Sequence, residues 1–100
     1  MKKYDYSFIL LPGFTMDGED MEYYENKLRS TYPLLTLKFI KPTASKIKIS
    51  IYNGEKYNSW YDYYTPNCDK EPIINEQQLI NNRNRIHRLL YKEIEYHNNP

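Results

Sequence analysis

The chain has 100 residues, of which 27% are charged and 40% hydrophobic, and its formal net charge is +1. This length makes one small domain or part of a larger one, and the ordinary globular composition excludes disorder as the default interpretation. The near-neutral charge argues against a dedicated nucleic-acid binder, because such proteins carry a strong basic excess.

Tyrosine is unusually frequent, with twelve residues, whereas the sequence has no valine and a single alanine. Tyr, Asn, Ile and Lys share A/T-rich codons, so genome base composition is the plain explanation and a Tyr-based binding surface is the alternative. The single cysteine, Cys68, cannot form an intramolecular disulfide. No segment has the length of a membrane span, and the apolar run near the start is too short for a signal peptide. These features predict an intracellular, soluble protein of the cytoplasm.

The first predicted element is a strand from Tyr6 to Leu11. Its positions from Phe8 onward are apolar without alternation, which is typical of a strand buried on both faces of a parallel sheet. Pro12-Gly13 ends it. A helix is predicted from Asp17 to about Ser30, because acidic residues occupy its first turn. Three residues of this helix have the spacing of an inward-facing stripe: Met21, Tyr24 and Leu28.

A second strand is predicted from Leu35 to Lys41, and the segment from Lys46 to Ile51 alternates between polar residues and isoleucine, as in a half-solvated surface strand. Asn53-Gly54 is a strong hairpin signal. We therefore expect the returning strand at Tyr57 to Tyr61.

A polar loop from Thr65 to Pro72 leads to a last helix, which runs from about Asn75 to about Tyr96 and could be capped by Asn75. Its apolar residues have helical spacing: Leu79, Ile80, Ile86, Leu90 and Ile94. Its basic residues indicate a solvated face, or alternatively a phosphate-binding patch: Arg83, Arg85, Arg88 and Lys92. This order of elements predicts an α/β fold in which the first two strands form a right-handed βαβ unit.

Three short segments occur in a characteristic order: Pro12-Gly13-Phe14, Pro42-Thr43-Ala44 and Ser59-Trp60-Tyr61-Asp62. Together they resemble the phospholipase/carboxylesterase (acyl-protein thioesterase-like) family of α/β-hydrolases, although Pro12 replaces the histidine that is usual there. The resemblance covers nearly the whole chain. It implies a partial α/β-hydrolase fold, with parallel strands, flanking helices and a surface β-hairpin, as in half of a three-layer sandwich.

The resemblance also implies a site. Acyl transfer generates an oxyanion that preorganised N–H groups must meet, and one of these donors comes from the loop after an early strand. By resemblance the donor is the N–H of Phe14, in a loop with Gly13 and Thr15, although a plain strand-to-helix turn would have the same sequence. Trp60 and Tyr61 are expected beside the acyl groove, with the isoleucine face of Ile47, Ile49 and Ile51. The alternative places Trp60 in the core and makes Asp62 the cap of a turn.

The catalytic residues of such an enzyme are missing. A serine hydrolase needs Gly-x-Ser-x-Gly, followed by Asp or Glu and then His. None of the three glycines (Gly13, Gly18 and Gly54) lies two residues from a serine, and the only histidines, His87 and His97, are predicted on the surface of the last helix. The sequence therefore predicts no catalytic residue, no metal site and no cofactor. By resemblance, residues 1–100 form a single incomplete domain, and the nucleophile would follow shortly after Pro100.

These observations leave three interpretations. The first is an ester-hydrolase fragment, inactive alone, which a C-terminal hydrolase half would complete for an acyl ester or thioester; it could be part of a split enzyme or the remnant of a disrupted gene. The second is a noncatalytic interaction module that pairs with a partner, or with itself, through the exposed edge of the Tyr6–Leu11 strand. The third is an unrelated small α+β domain.

Overall fold

The computed structural model describes residues 3–67 and 70–98; Cys68 lies outside the described residues. Within these described residues, the elements in chain order are β1 (Tyr6–Ile9), a 3-10 turn (Gly18–Met21), α1 (Glu22–Thr31), β2 (Leu37–Ile40), β3 (Lys46–Ile49), a second 3-10 turn (Ser50–Tyr52), β4 (Glu55–Asn58) and α2 (Glu76–Asn98). Parallel and antiparallel strands thus combine with helices, which confirms the predicted α/β class.

β1 and β2 form a parallel pair in which Tyr6 lies opposite Leu37 and Ile9 opposite Ile40. Both strands are shorter than predicted, although the N–H of Leu10 still donates to the carbonyl of Ile40 at 2.9 Å. Among the described residues, β1 pairs with β2 alone. Within the described part of the chain, one edge of β1 therefore has no strand beside it.

The helical segment begins directly after Asp17, as the acidic residues predicted, but its first turn is not part of α1. The carboxylate of Asp17 accepts the N–H of Asp20 at 3.3 Å, and the carboxylate of Asp20 accepts the N–H of Asp17 at 2.8 Å. This reciprocal pair is a capping box, which satisfies N–H groups that the first turn leaves without a helical acceptor. The first turn is a 3-10 turn, so the α-helix itself starts at Glu22.

The inward stripe predicted for α1 is partly wrong. Met21 is buried and Leu28 is half-buried, but Tyr24 is 53% exposed. Met21 is the N-cap of α1, and the residue four positions later is Glu25, which is half-buried and pairs with Lys41. The inward side of α1 therefore carries an ion-paired carboxylate where the pattern of apolar residues predicted Tyr24.

β3 and β4 form the predicted hairpin, but its returning strand is Glu55–Asn58 rather than Tyr57–Tyr61. The 3-10 turn at Ser50–Tyr52 ends β3 early, so Ile49 lies opposite Glu55. Asn53 and Gly54 then reverse the chain with φ angles of 56° and 78°. Asparagine and glycine tolerate this left-handed region, which explains why this pair marks the turn.

α2 is capped as predicted, because the side-chain oxygen of Asn75 accepts the N–H of Gln78 at 3.0 Å. The helix contacts the rest of the protein mainly through polar side chains: Gln78, Asn82, Arg85, Glu93 and Tyr96. Of the apolar residues with helical spacing, Ile86 is half-buried, whereas four are 37–45% exposed: Leu79, Ile80, Leu90 and Ile94.

The described fold buries little apolar surface. Its radius of gyration is 16.4 Å, against about 13 Å for a compact chain of this length. Its accessible surface is 7480 Å², against about 6,100 Å² for a compact monomer of this mass. The buried hydrophobic side chains of the described part are Met21, Leu37, Ala44 and Ile49. None of the helices in the described ranges is long and apolar enough to cross a membrane.

Candidate functional site

The loop that follows β1 is held by hydrogen bonds from two later parts of the chain. The indole N–H of Trp60 donates to the carbonyl of Pro12 at 2.8 Å, and the N–H of Thr15 donates to the carbonyl of Asn58 at 2.8 Å. Within the loop, the N–H of Met16 donates to the carbonyl of Gly13 at 3.1 Å. The loop is therefore fixed against β4 and the segment that follows it.

Two N–H groups of this loop remain available. In the part of the chain that the structure describes, those of Gly13 and Phe14 donate to no protein acceptor. Phe14 lies in a turn outside regular secondary structure. An N–H group that is held in place but unpaired is the kind of donor that can meet an anion without reorganising.

Thr15 adopts a strained backbone conformation, with a φ angle of 69°. A β-branched residue in the left-handed region is a genuine outlier. Such a conformation costs about 1–3 kcal/mol and persists where surrounding contacts enforce it, often at binding or catalytic sites. Here the hydrogen bond from Thr15 to Asn58 belongs to those enforcing contacts.

The ring of Phe14 lies in a cluster of tyrosines. Its centroid is 4.8 Å from that of Tyr63, 5.9 Å from Tyr57 and 6.2 Å from Tyr52. An open cavity of about 470 Å³ is lined by seven residues: Phe14, Ile51, Tyr52, Tyr61, Tyr63, Thr65 and Pro66. The cavity has the size and aromatic lining of a small-molecule site.

The two residues predicted for the groove occupy different places. Tyr61 lines the cavity, whereas Trp60 is half-buried behind the loop and does not. The guanidinium of Arg85 lies 5.7 Å from the centre of the Trp60 ring, and the indole N–H is occupied by Pro12. Trp60 thus supports the loop from behind, and its contact with a ligand stays a prediction.

The remaining residues of the Ser-Trp-Tyr-Asp segment hold the hairpin in place. Ser59 is buried and its hydroxyl donates to the carbonyl of Tyr61 at 2.6 Å. The buried carboxylate of Asp62 accepts the N–H of Ser50 at 2.8 Å and its hydroxyl at 2.5 Å. Beside them Ile49 is 0% exposed. Asp62 therefore braces the 3-10 turn of the hairpin, the alternative that the sequence left open.

The Pro-Thr-Ala segment fixes the other end of the loop. The hydroxyl of Thr43 accepts the N–H of Gly18 at 2.9 Å, and its carbonyl accepts an N–H of Arg85 at 2.9 Å. A Cβ atom at Gly18 would lie 2.4 Å from the carbonyl oxygen of Lys41, so only glycine permits this approach. Arg85 is consequently a structural contact rather than part of the solvated basic face.

Two ionisable groups near the site have shifted pKa values. The hydrogen bond from Lys41 to Glu25, at 2.5 Å, lowers the pKa of the Glu25 carboxyl, and Arg29 adds to this effect. The Tyr57 hydroxyl donates to the carboxylate of Glu55 at 2.8 Å, which raises the pKa of Tyr57. Tyr57 therefore keeps its proton in neutral solution.

A second polar cluster was missed by the sequence. The Oγ of Ser7 lies 2.8 Å from Nε2 of His97 and 3.4 Å from Glu93, whose buried carboxylate pairs with Lys38 at 2.6 Å. The prediction of His97 as a plain surface residue was therefore wrong: the residue is half-buried. The four-residue spacing of Glu93 and His97, which puts both on one side of α2, was a signal in the sequence.

This cluster resembles a nucleophile and base by distance, but it lacks the rest of a catalytic site. Within residues 3–67 and 70–98, no side chain orients the second ring nitrogen of His97, and neither Ser7 nor His97 lines a described cavity. Its evident role is to fasten α2 to β1 and β2. His87, the other histidine, is exposed as predicted.

The strands, helices and hairpin form a partial α/β fold. It is similar to crystal structures of Arabidopsis thaliana SOBER1, an acyl-protein thioesterase-like α/β-hydrolase. The TM-score is 0.76 for SOBER1 itself, at 22% identity, and 0.76 for each of two single-residue variants, at 23% identity. The superposition covers 95% of this chain and 44–45% of SOBER1, so the chain spans less than half the length of that protein. No protein-family model matches the sequence, and a comparison with curated proteins finds no similar sequence.

Proposed function

We propose that this chain is the N-terminal half of a serine ester hydrolase of the carboxylesterase and acyl-protein thioesterase type. It carries one oxyanion donor and part of an acyl groove, but not the nucleophile. The observation that carries the proposal is the N–H of Phe14, which has no acceptor in the described part of the chain. Hydrogen bonds from Trp60 and Thr15 hold the loop that contains it, and the Phe14 ring lines an aromatic cavity.

The placement of the helices supports this proposal. α1 contacts Phe39 of β2 through the guanidinium of Arg29, 4.8 Å from the ring centre, whereas α2 contacts the neighbouring Lys38 through Glu93. Successive residues of a strand point to opposite faces of a sheet. The two helices therefore lie on opposite faces of the β1–β2 pair, which supports the proposal, since half of a three-layer α/β sandwich requires a helix on each face.

In this role the chain supplies electrostatic stabilisation. When a serine attacks an acyl ester or thioester, negative charge develops on the former carbonyl oxygen, and the N–H of Phe14 donates to it while Gly13 and Thr15 hold the turn. A second donor comes from the residue after the nucleophile in this class of fold. The loss of one such donor lowers the rate by about 10²–10³-fold. The tyrosine-lined cavity beside Phe14 holds the acyl chain.

In this proposal the nucleophile, the acid and the base lie outside residues 1–100. The sequence has no Gly-x-Ser-x-Gly, and more than half of the length of SOBER1 lies outside the matched part. We expect the isolated chain to show no turnover of p-nitrophenyl acetate or butyrate. Turnover that survives purification and is blocked by a fluorophosphonate would contradict this expectation.

The oxyanion donor is tested on the chain as it exists by an NMR titration. Methylphosphonate, a small oxyanion, should shift the amide signals of Gly13 and Phe14 more than those of other loops. Phe14→Leu keeps the N–H and should keep the shift at position 14, whereas Phe14→Pro removes the N–H and should abolish the response of Gly13. An unchanged spectrum at saturating methylphosphonate, or equal shifts at the Asn53-Gly54 turn, would refute the assignment.

The catalytic contribution requires the missing half. Residues 1–98 can be fused to the part of SOBER1 beyond the matched region, which would place a nucleophile next to the loop. In a folded fusion, Phe14→Pro should lower kcat for p-nitrophenyl acetate by about 10²–10³-fold, whereas Phe14→Leu should change it little. Equal rates for the two variants would show that the Phe14 amide does not meet the oxyanion.

A further inference from the structure

The loop that follows β1 contains a peptide unit whose orientation depends on a residue far along the chain. The carbonyl of Pro12 accepts the indole N–H of Trp60 at 2.8 Å, across a sequence separation of 48 residues. The described residues contain no cis peptide bond. In a trans peptide unit the carbonyl and the N–H lie in one plane and point in opposite directions. The N–H of Gly13, which belongs to the same unit as the Pro12 carbonyl, therefore points away from the indole.

Gly13 cannot hold this orientation by itself. Because glycine has no Cβ atom, it restricts the backbone less than any other residue, so the peptide units on both sides of Gly13 depend on outside contacts. The unit after Gly13 has such a contact, since its carbonyl accepts the N–H of Met16 at 3.1 Å. The unit before Gly13 is held by the indole N–H of Trp60. The two contacts together set the path of the chain into Phe14.

Trp60 is itself held by one side of α2. Gln78, Asn82 and Arg85 are separated by four and three residues, so they lie on the same side of the helix. The side-chain amide of Asn82 donates to the carbonyl of Trp60, and the guanidinium of Arg85 lies 5.7 Å from the centre of its ring. Gln78 accepts the N–H of Asp62, two residues further on, at 2.7 Å. The indole N–H is therefore presented by a braced segment.

The surroundings of Trp60 favour a role in orienting the loop over a role in filling the core. Trp60 is half-buried and does not line the aromatic cavity beside Phe14. The buried hydrophobic side chains of the described part are others: Met21, Leu37, Ala44 and Ile49. The contact that only a tryptophan at this position supplies is thus the hydrogen bond from its indole N–H to Pro12.

We propose that Trp60 is a positioning residue for the loop that follows β1. Its indole N–H fixes the Pro12–Gly13 peptide unit, and this unit sets the direction from which the next one presents the N–H of Phe14 to an anion. Trp60 acts through the loop and does not touch the substrate in this role. The inference rests on the proposed function, because it assigns to Phe14 the same part in meeting an oxyanion.

The test separates the indole N–H from the shape of the ring. Because the sequence contains a single tryptophan, tryptophan analogues change this one position alone. Replacement of Trp60 by benzothienylalanine puts a sulfur atom in place of the N–H and keeps the bicyclic shape. Replacement by fluorotryptophan keeps the N–H and is the matched control. Trp60→Phe removes the N–H by ordinary mutagenesis, at the expense of a smaller ring.

Backbone amide NMR relaxation measures the positioning directly, with no anion present. In the wild type the N–H order parameter of Gly13 should be about 0.85, the value of a rigid backbone, and in the benzothienylalanine protein it should fall to about 0.6. The order parameter of Phe14 should fall less, because Met16 still holds the carbonyl of Gly13. That of Gly54, in the hairpin turn, should not change. The fluorotryptophan protein should match the wild type at all three positions.

A titration with methylphosphonate, followed at the Phe14 amide, measures the consequence for anion binding. Loss of the indole N–H should weaken binding about fivefold or more, because the backbone at Gly13 must then be ordered when the anion binds. Benzothienylalanine and Trp60→Phe should both show this loss. The fluorotryptophan protein should bind like the wild type, since it keeps the donor to Pro12.

Four results would overturn the proposal: an unchanged order parameter of Gly13 in the benzothienylalanine protein, a fall at Gly54 as large as that at Gly13, equal anion affinity in the two analogue proteins, or a wild-type Phe14 amide that does not respond to methylphosphonate. The last result would refute the proposed function as well. A wild-type response that survives the loss of the indole N–H would refute the role of Trp60 alone.

Discussion

The hairpin end and the sheet end of this molecule differ in how they are stabilised. At the hairpin end, Ile49, Ser59 and Asp62 are buried, and the polar atoms of the two polar residues are hydrogen-bonded. At the sheet end, Glu93 fastens α2 to the strands by polar contacts, while large apolar side chains such as Tyr6 remain exposed. The hairpin end thus holds the candidate oxyanion loop without outside help, whereas the sheet end offers apolar surface that this chain does not cover.

The largest expected difference between the two ends is in the free energy of unfolding that is lost when an isoleucine is replaced by alanine. Ile49→Ala removes a side chain that is 0% exposed and should lower the free energy of unfolding by about 3 kcal/mol. Ile94→Ala, on the exposed flank of α2, should cost well under 1 kcal/mol in the monomer. Urea unfolding at low protein concentration measures both values. Equal losses would mean that the α2 flank is already buried in the monomer, and the comparison would fail.

The next effect concerns buried polar contacts. Asp62→Ala leaves the N–H and hydroxyl of Ser50 without their acceptor and should cost about 2 kcal/mol. Asp5→Ala is the control at the sheet end, because Asp5 also accepts a backbone N–H, that of Thr36 at 2.8 Å, but is exposed. Water can replace an exposed acceptor, so this variant should lose less than about 1 kcal/mol. Chemical denaturation would contradict the contrast if Asp5→Ala were the more damaging change.

Local sequence signals predicted the elements better than the packing. The acidic residues after Asp17, the Asn53-Gly54 pair and Asn75 each act through neighbours in the chain, and each marks a helix start or a turn in the structure. The returning strand was misplaced because the 3-10 turn at Ser50–Tyr52 depends on Asp62, twelve residues away from Ser50. Such a contact has no signature in the local pattern.

The candidate site was predictable in its position but not in its detail. The Pro12-Gly13-Phe14 segment identified the loop, and the structure leaves the Phe14 amide unpaired there. The sequence could not reveal that Trp60 supports the loop from behind, because periodicity does not say which side of a loop a side chain occupies. The strain at Thr15 was likewise invisible, since a threonine in this conformation is imposed by its surroundings.

A smaller effect, of opposite sign, tests that strain at the hairpin end. Asparagine tolerates the left-handed region better than threonine, so Thr15→Asn should raise the free energy of unfolding by about 1 kcal/mol. Thr36→Asn is the control, because Thr36 is exposed and has no positive φ angle; it should change stability by less than about 0.5 kcal/mol. Thermal unfolding followed by circular dichroism measures both, and a less stable Thr15→Asn variant would show that the threonine side chain stabilises the loop.

The smallest effect concerns the ion pair that joins α1 to the end of β2. Lys41 lowers the pKa of Glu25, so the folded state binds the proton of this carboxyl less tightly than the unfolded state does. The resulting stability is fully present above the ordinary pKa of 4.5 and is lost as the pH falls through the lower folded value. Its size should be about 1 kcal/mol or less, because such pairs near the surface are weak.

Glu25→Gln should therefore be less stable than the wild type at pH 7, and the difference should shrink as the pH falls below the folded pKa of Glu25. Glu22→Gln is the matched control, since Glu22 is exposed on the same helix and belongs to neither ion pair of Glu25. Urea titrations at several pH values compare the three proteins. A difference that stays constant with pH would mean that Glu25 stabilises α1 through packing of its side chain rather than through its ion pair with Lys41.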